Sequence, residues 1–308
     1  FRNEIKMNGG VLMKVAVGVD IGGTKVAVAL INEKGEIVSR SQRPSQTESA
    51  EGLYQGVVQL IQEVLEENDL RIQDTYGIGV GLPGKVDVEN GVAVFQNNIP
   101  WANFPVVERL KQTFGDIPVR IDNDVKVAAY AEYRLLHLKS SDMFGYVTVS
   151  TGIAATNIVN NTILRGEGFS GEIGFLKVPY FECLESLEGA CSGVAIERTG
   201  RELYEDVALT TKDVFEKWRS GEEAANRIIE ETAKGLASAL HGMVCLLDPK
   251  VIVFGGSVSN YNPDFIELIK EELGLLLHHE QKHILENIKA STIKGDNGII
   301  GAGLLVVE

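Results

Sequence analysis

A few short stretches carry the side chains that can move a phosphate. Asp20-Ile21-Gly22-Gly23-Thr24-Lys25 sets a carboxylate beside two glycines and a hydroxyl. Glycines remove side chains where a ligand must approach the backbone, and their amides can face an anion. A neighbouring carboxylate can hold a divalent cation through water, so the combination suits a polyphosphate carrying Mg2+. Asp122-Asn123-Asp124 places carboxylates at a strand-to-helix junction. An alcohol is a poor nucleophile, and a carboxylate positioned there can accept its proton as the new bond to phosphorus forms. Glu172, flanked by glycines in Ser170-Gly171-Glu172-Ile173-Gly174, and Glu188, four residues before Ser192, are further carboxylates, each able to accept two hydrogen bonds. Plainer readings stand beside these. The first glycines can serve only a hairpin turn, and Asp124 can be a helix cap, a job open equally to Asp122 or Asn123. The glutamates can lie on solvated loops, Glu188 at the end of the charged run from Glu182.

The elements that must position these groups follow from periodicity. Alternating β-branched residues from Val15 and again from Val26 to Ile31 predict a hairpin, and Asn32-Glu33-Lys34-Gly35 predicts the turn into a third strand at Glu36 to Val38. Ser49 to Asn68 carries Leu53, Val57, Leu60, Ile61, Val64 and Leu65 at helical spacing, with glutamates on the other face. Tyr76 to Leu82 predicts a strand ending in the bend Pro83-Gly84, and Val92 to Phe95 a short strand before the polar turn Asn97 to Trp101. A helix over Phe104 to Phe114, a strand over Val119 to Ile121 and a helix over Val125 to Leu138 follow.

From Tyr146 the opening order recurs: strand, the bend Ser150-Thr151-Gly152, strand, the turn Asn160-Asn161, and a strand at Ile163-Leu164. The recurrence predicts an internal duplication, with two similar α/β lobes facing each other across a cleft. Helices near Gly193 to Tyr204 and Glu223 to Leu247, the strand Val251 to Phe254, the loop Gly255-Gly256-Ser257 and the helix Asn262 to Leu277 complete the second lobe. A small-residue helix, Gly298 to Leu305, returns to the first. No low-complexity linker divides the halves, which places the hinge near Asp122 and Gly295 to Asn297. The expected lobes are residues 13–122 with 296–308, and residues 123–295.

Bulk properties narrow the class. At 308 residues, with 44% hydrophobic and 23% charged residues, the chain reads as a globular protein of two domains or one large one. A net charge of -14 argues against nucleic acid, since neutralising phosphates needs clustered Lys and Arg. The longest apolar run, Gly235 to Leu247, is too short to cross a bilayer, and no membrane or targeting segment is expected. Three cysteines, an odd count with no Cys-x-x-Cys, fit a reducing cytoplasm. Residues 1–12 lack periodicity, precede Met13 and are set aside from the fold.

Taken in order, Asp20-Ile-Gly-Gly-Thr-Lys25, Gly81-Leu-Pro-Gly84, Asn98-Ile-Pro, Asn123-Asp124, Gly171-Glu-Ile-Gly174, Glu188 with Ser192-Gly193, and Gly255-Gly256 resemble the ROK family of sugar kinases, within the actin-like ATPase superfamily. The resemblance runs from Lys14 to the end. It implies an α/β fold of two ribonuclease H-like lobes, with mixed β-sheets flanked by helices. It also implies ATP and Mg2+ as cofactors, transfer of the γ-phosphate to a hexose hydroxyl, the 6-hydroxyl by preference, and a cytoplasmic homodimer. By resemblance Asp124 is the catalytic base and Asn123 its sugar-binding partner. Glu172 and Glu188 meet sugar hydroxyls, Asn98 is the matching amide with Asn97 as its neighbour in line, and Gly84 lends backbone to the sugar pocket. Asp20, Gly22, Gly23, Thr24 and Lys25 take one side of the phosphates and Mg2+, Thr151 and Gly152 the other, while Gly255, Gly256 and Ser257 approach the adenosine. A plain strand-to-helix turn is the other reading of that trio.

Three departures from the family pattern stand out. The family's His after Gly-Glu-x-Gly, which touches the sugar and ligates zinc, is here Phe175. The cysteine motif that follows is also gone: its three cysteine positions, counted back from Glu188, hold Pro179, Phe181 and Ser186, with Cys183 between them. A structural zinc needs four closed ligands, so no zinc is expected, and the loop is expected to be held by apolar packing of Phe175, Phe181 and Leu184. Losing the His removes a sugar hydrogen bond and leaves an aromatic face, which suits a bulkier or differently substituted sugar. The second phosphate loop reads Ser150-Thr151-Gly152-Ile153-Ala154 where the family prefers Gly-Thr-Gly-x-Gly. Finally, His279 and His283 sit four residues apart, a spacing that binds metal on a helix, but a solvated face explains them without metal.

Three functions compete on these grounds. The first is an ATP-dependent hexose kinase. A sugar-sensing regulator of the same family would carry a DNA-binding helix-turn-helix ahead of the first hairpin, where about a dozen irregular residues stand, in an acidic chain. A pseudokinase that only binds sugar and nucleotide is suggested by the altered phosphate loop and opposed by the intact Asp20, Asp124 and Glu172. Glucose, mannose, N-acetylmannosamine, fructose and β-glucosides all lie within the family's range.

Overall fold

The structure, a computed structural model, describes residues 5–6, 12–96, 98–293 and 295–307; Asn97 and most of the set-aside residues 1–12 lie outside them. A short antiparallel pair, β1 (Ile5–Lys6) with β2 (Leu12–Met13), comes first. The predicted hairpin follows as β3 (Val15–Ile21) and β4 (Lys25–Asn32), and β5 (Ile37–Pro44) extends it. Asn32 closes the turn into β5: its Oδ1 accepts from the Lys34 and Glu36 amides, each at 2.9 Å. The helix α1 (Ala50–Glu66) begins where Ser49 Oγ accepts from the Gly52 amide at 3.0 Å, a cap worth about 1 kcal/mol. It buries its predicted apolar face, Leu53, Val57, Leu60, Ile61 and Val64.

Next come β6 (Ile78–Leu82), β7 (Lys85–Asp87), β8 (Val92–Phe95), β9 (Ala102–Phe104), α2 (Val106–Phe114), β10 (Val119–Asn123) and α3 (Asp124–Leu135). The helix expected from Phe104 starts instead at Val106, because Phe104 precedes Pro105, and a residue before proline is driven into extended backbone. Phe104 ends β9 and stacks its ring on Trp101 at 4.5 Å. The main sheet runs β10-β6-β3-β4-β5, with β4 antiparallel to both neighbours and β6 and β10 parallel to β3.

The second half repeats this plan. β11 (Phe144–Val149), β12 (Ile153–Val159) and β13 (Thr162–Ile163) form the meander, and β14 (Lys177–Tyr180) pairs with β15 (Cys183–Ser186). Then follow α4 (Leu187–Cys191), α5 (Gly193–Tyr204), α6 (Thr211–Arg219), α7 (Glu223–Leu247), β16 (Val251–Gly255), α8 (Ser257–Tyr261), α9 (Pro263–Leu276) and β17 (Ile288–Ala290). The second sheet runs β13-β12-β11-β16-β17. In each sheet the strands, counted within their own half, stand in the order third, second, first, fourth, fifth, with only the second antiparallel to the first. This is the ribonuclease H-like arrangement, present twice, as an internal duplication requires.

The chain divides into two compact units, one ending at Leu138 and resuming at Asp296, the other spanning Lys139–Gly295. The first unit therefore extends beyond the expected limit at 122. The reason is α3, which packs against the C-terminal helix Asn297–Leu304 and against β6 and β10. The C-terminal helix meets both α3 and β6 backbone on backbone: a Cβ at Gly301 would stand 1.8 Å from the Val127 carbonyl oxygen, and one at Gly79 would stand 1.7 Å from that of Ala302. Each unit has its own apolar core, built on Val17, Val19 and Val28 in the first and on Val147, Phe254 and Leu236 in the second.

Candidate functional site

In the first unit the strand-to-helix junction after β10 is built by Asn123. Its Oδ1 accepts from the amides of Val125 at 3.0 Å and Lys126 at 3.3 Å, so Asn123 caps α3 and Asp124 is released from that job. The Asn123 Nδ2 donates to the Gly84 carbonyl at 3.0 Å. An amide has two donor hydrogens and one acceptor oxygen, so one N–H of Asn123 is left for a ligand. Gly84 reaches this contact with φ +74°, and a Cβ there would lie 2.3 Å from the Phe95 carbonyl oxygen. The backbone expected to serve a sugar thus also serves Asn123.

Asp124 opens α3, half-buried, with Oδ1 accepting from the Val125 amide at 2.9 Å. Desolvation is the largest influence on its carboxyl and pushes its pKa up to about 6; that hydrogen bond opposes the shift and the negative charge of Asp20 adds to it. Asp20, at the end of β3, is likewise held above the ordinary carboxylate range by burial, against the attraction of Lys25 and Arg40. A Cβ at Gly298, in the first turn of the C-terminal helix, would stand 3.1 Å from Asp20 Oδ2, so the helix backbone comes this close to the carboxylate because a glycine is there.

In the β3–β4 turn, Gly22 donates its amide to the Lys25 carbonyl at 2.9 Å. That hydrogen, expected to face an anion, is spent within the turn. Gly23 is glycine for a different reason: a Cβ would come 2.8 Å from both Cβ and the carbonyl oxygen of Asn98. The structure thus brings the phosphate candidate Gly23 against the sugar candidate Asn98. Thr24, Lys25 and Asn98 are exposed.

In the second unit Thr151-Gly152, Glu172 and Glu188 converge on the start of β12. Glu188, in the first turn of α4, accepts from the Ile153 amide through Oε2 at 2.9 Å. The Gly171 carbonyl accepts from the Ala155 amide at 2.7 Å, and Gly171, at φ +94°, turns the chain there so that Glu172 stands exposed on the following turn. Gly174 fits between the Ile153 carbonyl and Glu188, where its Cβ would meet them at 2.6 and 3.2 Å. Gly255 and Gly256 have packing reasons of their own. A Cβ at Gly255 would collide with the Tyr146 hydroxyl, and Gly256, at φ +86°, turns the chain against Val149 and Thr148 into α8. The plain turn reading accounts for both, while Ser257 faces Ser150, their hydroxyl oxygens 3.0 Å apart.

Ser150, Thr151 and Ser257 form one wall of a cavity of about 690 Å³, whose other walls include Lys212, Phe215 and Tyr261. Its volume suits a nucleotide-sized ligand. Arg219 frames the rim through Asp264 at 2.7 and 2.8 Å and Asn262 at 2.7 Å. The α6 wall was missed by sequence reasoning, although Thr210 and Asp213 form a capping box that announces a helix start.

The expected apolar packing of the Phe175 loop is only partly right. Phe175 and Leu184 are 72% and 67% exposed and cannot hold it. The loop is held instead by the β14–β15 pairing and by Phe181, which packs edge-on to Tyr180 at 4.7 Å under Arg227, while its amide donates to Glu231 at 3.0 Å. His279 and His283 lie on a 3-10 turn, where residues three apart, not four, share a face; His283 contacts the Glu280 carbonyl and Asp248. Among the described residues no three His, Cys, Asp or Glu gather as a metal site.

The ROK family model matches residues 16–308. The chain belongs to the ROK family. It is 27% identical over 320 residues to a glucokinase of Halalkalibacterium halodurans, covering 95% of this chain and 94% of the relative. It is 31% identical over 254 residues to an N-acetylmannosamine kinase of Haemophilus influenzae, with 79% and 80% covered. Among solved structures, the ROK glucokinase of Streptomyces griseus in complex with glucose and AMPPNP superposes with a TM-score of 0.74 at 26% identity, covering 94% of this chain and 98% of that one. The ROK membership and the doubled ribonuclease H-like fold, of actin-like ATPase type, agree with what the sequence motifs imply.

Proposed function

We propose that this protein transfers the γ-phosphoryl group of ATP to the 6-hydroxyl of a hexose or hexose derivative, with Asp124 as general base. The chain is a sugar kinase of the ROK family. The observation that carries it is the state of Asp124. Asn123 does the capping, and a carboxyl with pKa about 6 is ionised at neutral pH yet basic enough to accept a proton during the reaction. The 6-hydroxyl gives its proton to the Asp124 carboxylate as its oxygen bonds to the γ-phosphorus, the bond from that phosphorus to the β-phosphate oxygen breaks, and ADP leaves.

Gly23-Thr24 in the first unit and Thr151-Gly152 in the second are the candidates to meet the nucleotide's phosphates, and the cavity walled by Ser257 and Tyr261 is the candidate for its nucleoside half; the complex of the Streptomyces griseus relative with glucose and AMPPNP supports both ligands. Asp20, a carboxylate at the end of β3 beside the Gly22-Gly23 turn, is the residue to hold Mg2+, which when bound would neutralise phosphate charge. Glu172, Glu188, Asn98 and the remaining N–H of Asn123 receive the sugar hydroxyls. Cytoplasmic residence and a homodimer complete the proposal. Three cysteines present as thiols support the first, and family resemblance supports the second.

The test is ADP release across a panel of hexoses with ATP and Mg2+. Turnover confined to one stereochemical class supports the reading and names the sugar. Silence across the panel, with nucleotide and sugar still bound, would make the protein a binding protein instead.

A further inference from the structure

The loop between β11 and β12 is pinned at two points. At its start, the Ser150 carbonyl accepts from the Gly193 amide at 2.7 Å, and the Ser150 amide donates to the Gly152 carbonyl at 2.9 Å. At its end, the Ile153 amide donates to Glu188 Oε2 at 2.9 Å. Thr151 and Gly152 hang between these pins. Gly152 is glycine because of the second one: a Cβ there would lie 2.6 Å from the same Glu188 oxygen. Glu188 is itself aimed by its helix. Ser186 caps α4 through the Gly189 amide at 3.1 Å, and the fully buried Leu187 anchors the turn on the opposite side.

We infer that Glu188 is a positioning residue of the nucleotide site: through the Ile153 amide it holds Thr151 and Gly152 in the conformation that receives the phosphates. This rests on the proposal that those residues meet ATP. A loop with Ser150 and Ala154 in place of glycines then keeps its shape through a side chain rather than through backbone freedom. A carboxylate has two oxygens, so one serves the loop while the other remains for a sugar hydroxyl. A residue that only bound sugar would leave nucleotide affinity untouched when sugar is absent.

The experiment is calorimetric titration of the sugar-free protein with MgADP, on wild type, Glu188→Ala and Glu188→Gln. The alanine variant is expected to bind MgADP about tenfold more weakly, the scale of one hydrogen bond to a charged acceptor. The glutamine variant, whose amide oxygen can still accept from Ile153, should recover most of that affinity while keeping a raised KM for sugar. Rescue by glutamine separates positioning from a general loss of structure. Wild-type affinity in the alanine variant would overturn the inference alone. A wild type that bound no MgADP would overturn it together with the nucleotide reading of the loop.

Discussion

Asn123 Nδ2 donates to the Gly84 carbonyl at 3.0 Å, tying the cap of α3 to the bend that follows β6. One side chain thereby fixes both the start of the helix that carries Asp124 and the backbone beside it. Asn123→Ala is expected to lose the cap and this tie, at a cost of about 1–2 kcal/mol, seen as a lower midpoint in urea. Its turnover should fall more than its stability explains, since Asp124 loses its aim; Asn123→Asp, which keeps the acceptor, should restore stability and not the Gly84 contact.

Gly84 cannot be replaced quietly. At φ +74°, with a Cβ 2.3 Å from the Phe95 carbonyl oxygen, Gly84→Ala should destabilise the chain by more than about 1 kcal/mol in chemical denaturation. An unchanged denaturation midpoint would show that the bend relaxes freely.

Asp124 makes stability depend on pH. Its folded pKa, about 6, lies above the ordinary 3.8, so the folded chain holds this proton more tightly than the unfolded chain does. Stability therefore falls as pH rises from about 4 through about 6, by at most about 3 kcal/mol. Asp124→Asn should melt higher than wild type at pH 8, and the gap should close near pH 4. A gap constant with pH would mean that burial does not strain the carboxylate.

The cavity beside Ser257 gives a separate test. Tyr261 is exposed on its wall, and stacking against a base is worth roughly tenfold or more in affinity. Tyr261→Ala should raise KM for ATP about tenfold and leave KM for the sugar unchanged; the reverse pattern would place the nucleoside elsewhere.

Zinc is accessible to direct analysis. With Phe175 and Pro179 at ligand positions, elemental analysis of the purified protein should find no stoichiometric zinc, and chelators should not move its melting temperature. One zinc per chain would require ligands other than those motif positions.

Much of this architecture was legible in residue order. The hairpin around Gly22-Gly23, its repeat around Thr151-Gly152 and the glycine-rich final helix are written in strand alternation and small residues, which local geometry obeys. The limit of the first unit was not, because α3 belongs to it through contact with a helix more than 160 residues onward. Glycine roles were the least legible. Gly23 answers to Asn98, Gly255 to Tyr146 and Gly152 to Glu188, each a partner remote in sequence. Likewise Phe175 and Phe181 look alike in sequence, yet only Phe181 finds a helix to cover it.

The most direct test of the account is the turnover of Asp124→Asn, measured by ADP release with the preferred sugar and set beside that sugar's affinity by calorimetry. Removing a general base predicts a loss of about 10²-fold or more in kcat, with sugar binding largely kept. Turnover within a few-fold of wild type would contradict the role given to Asp124.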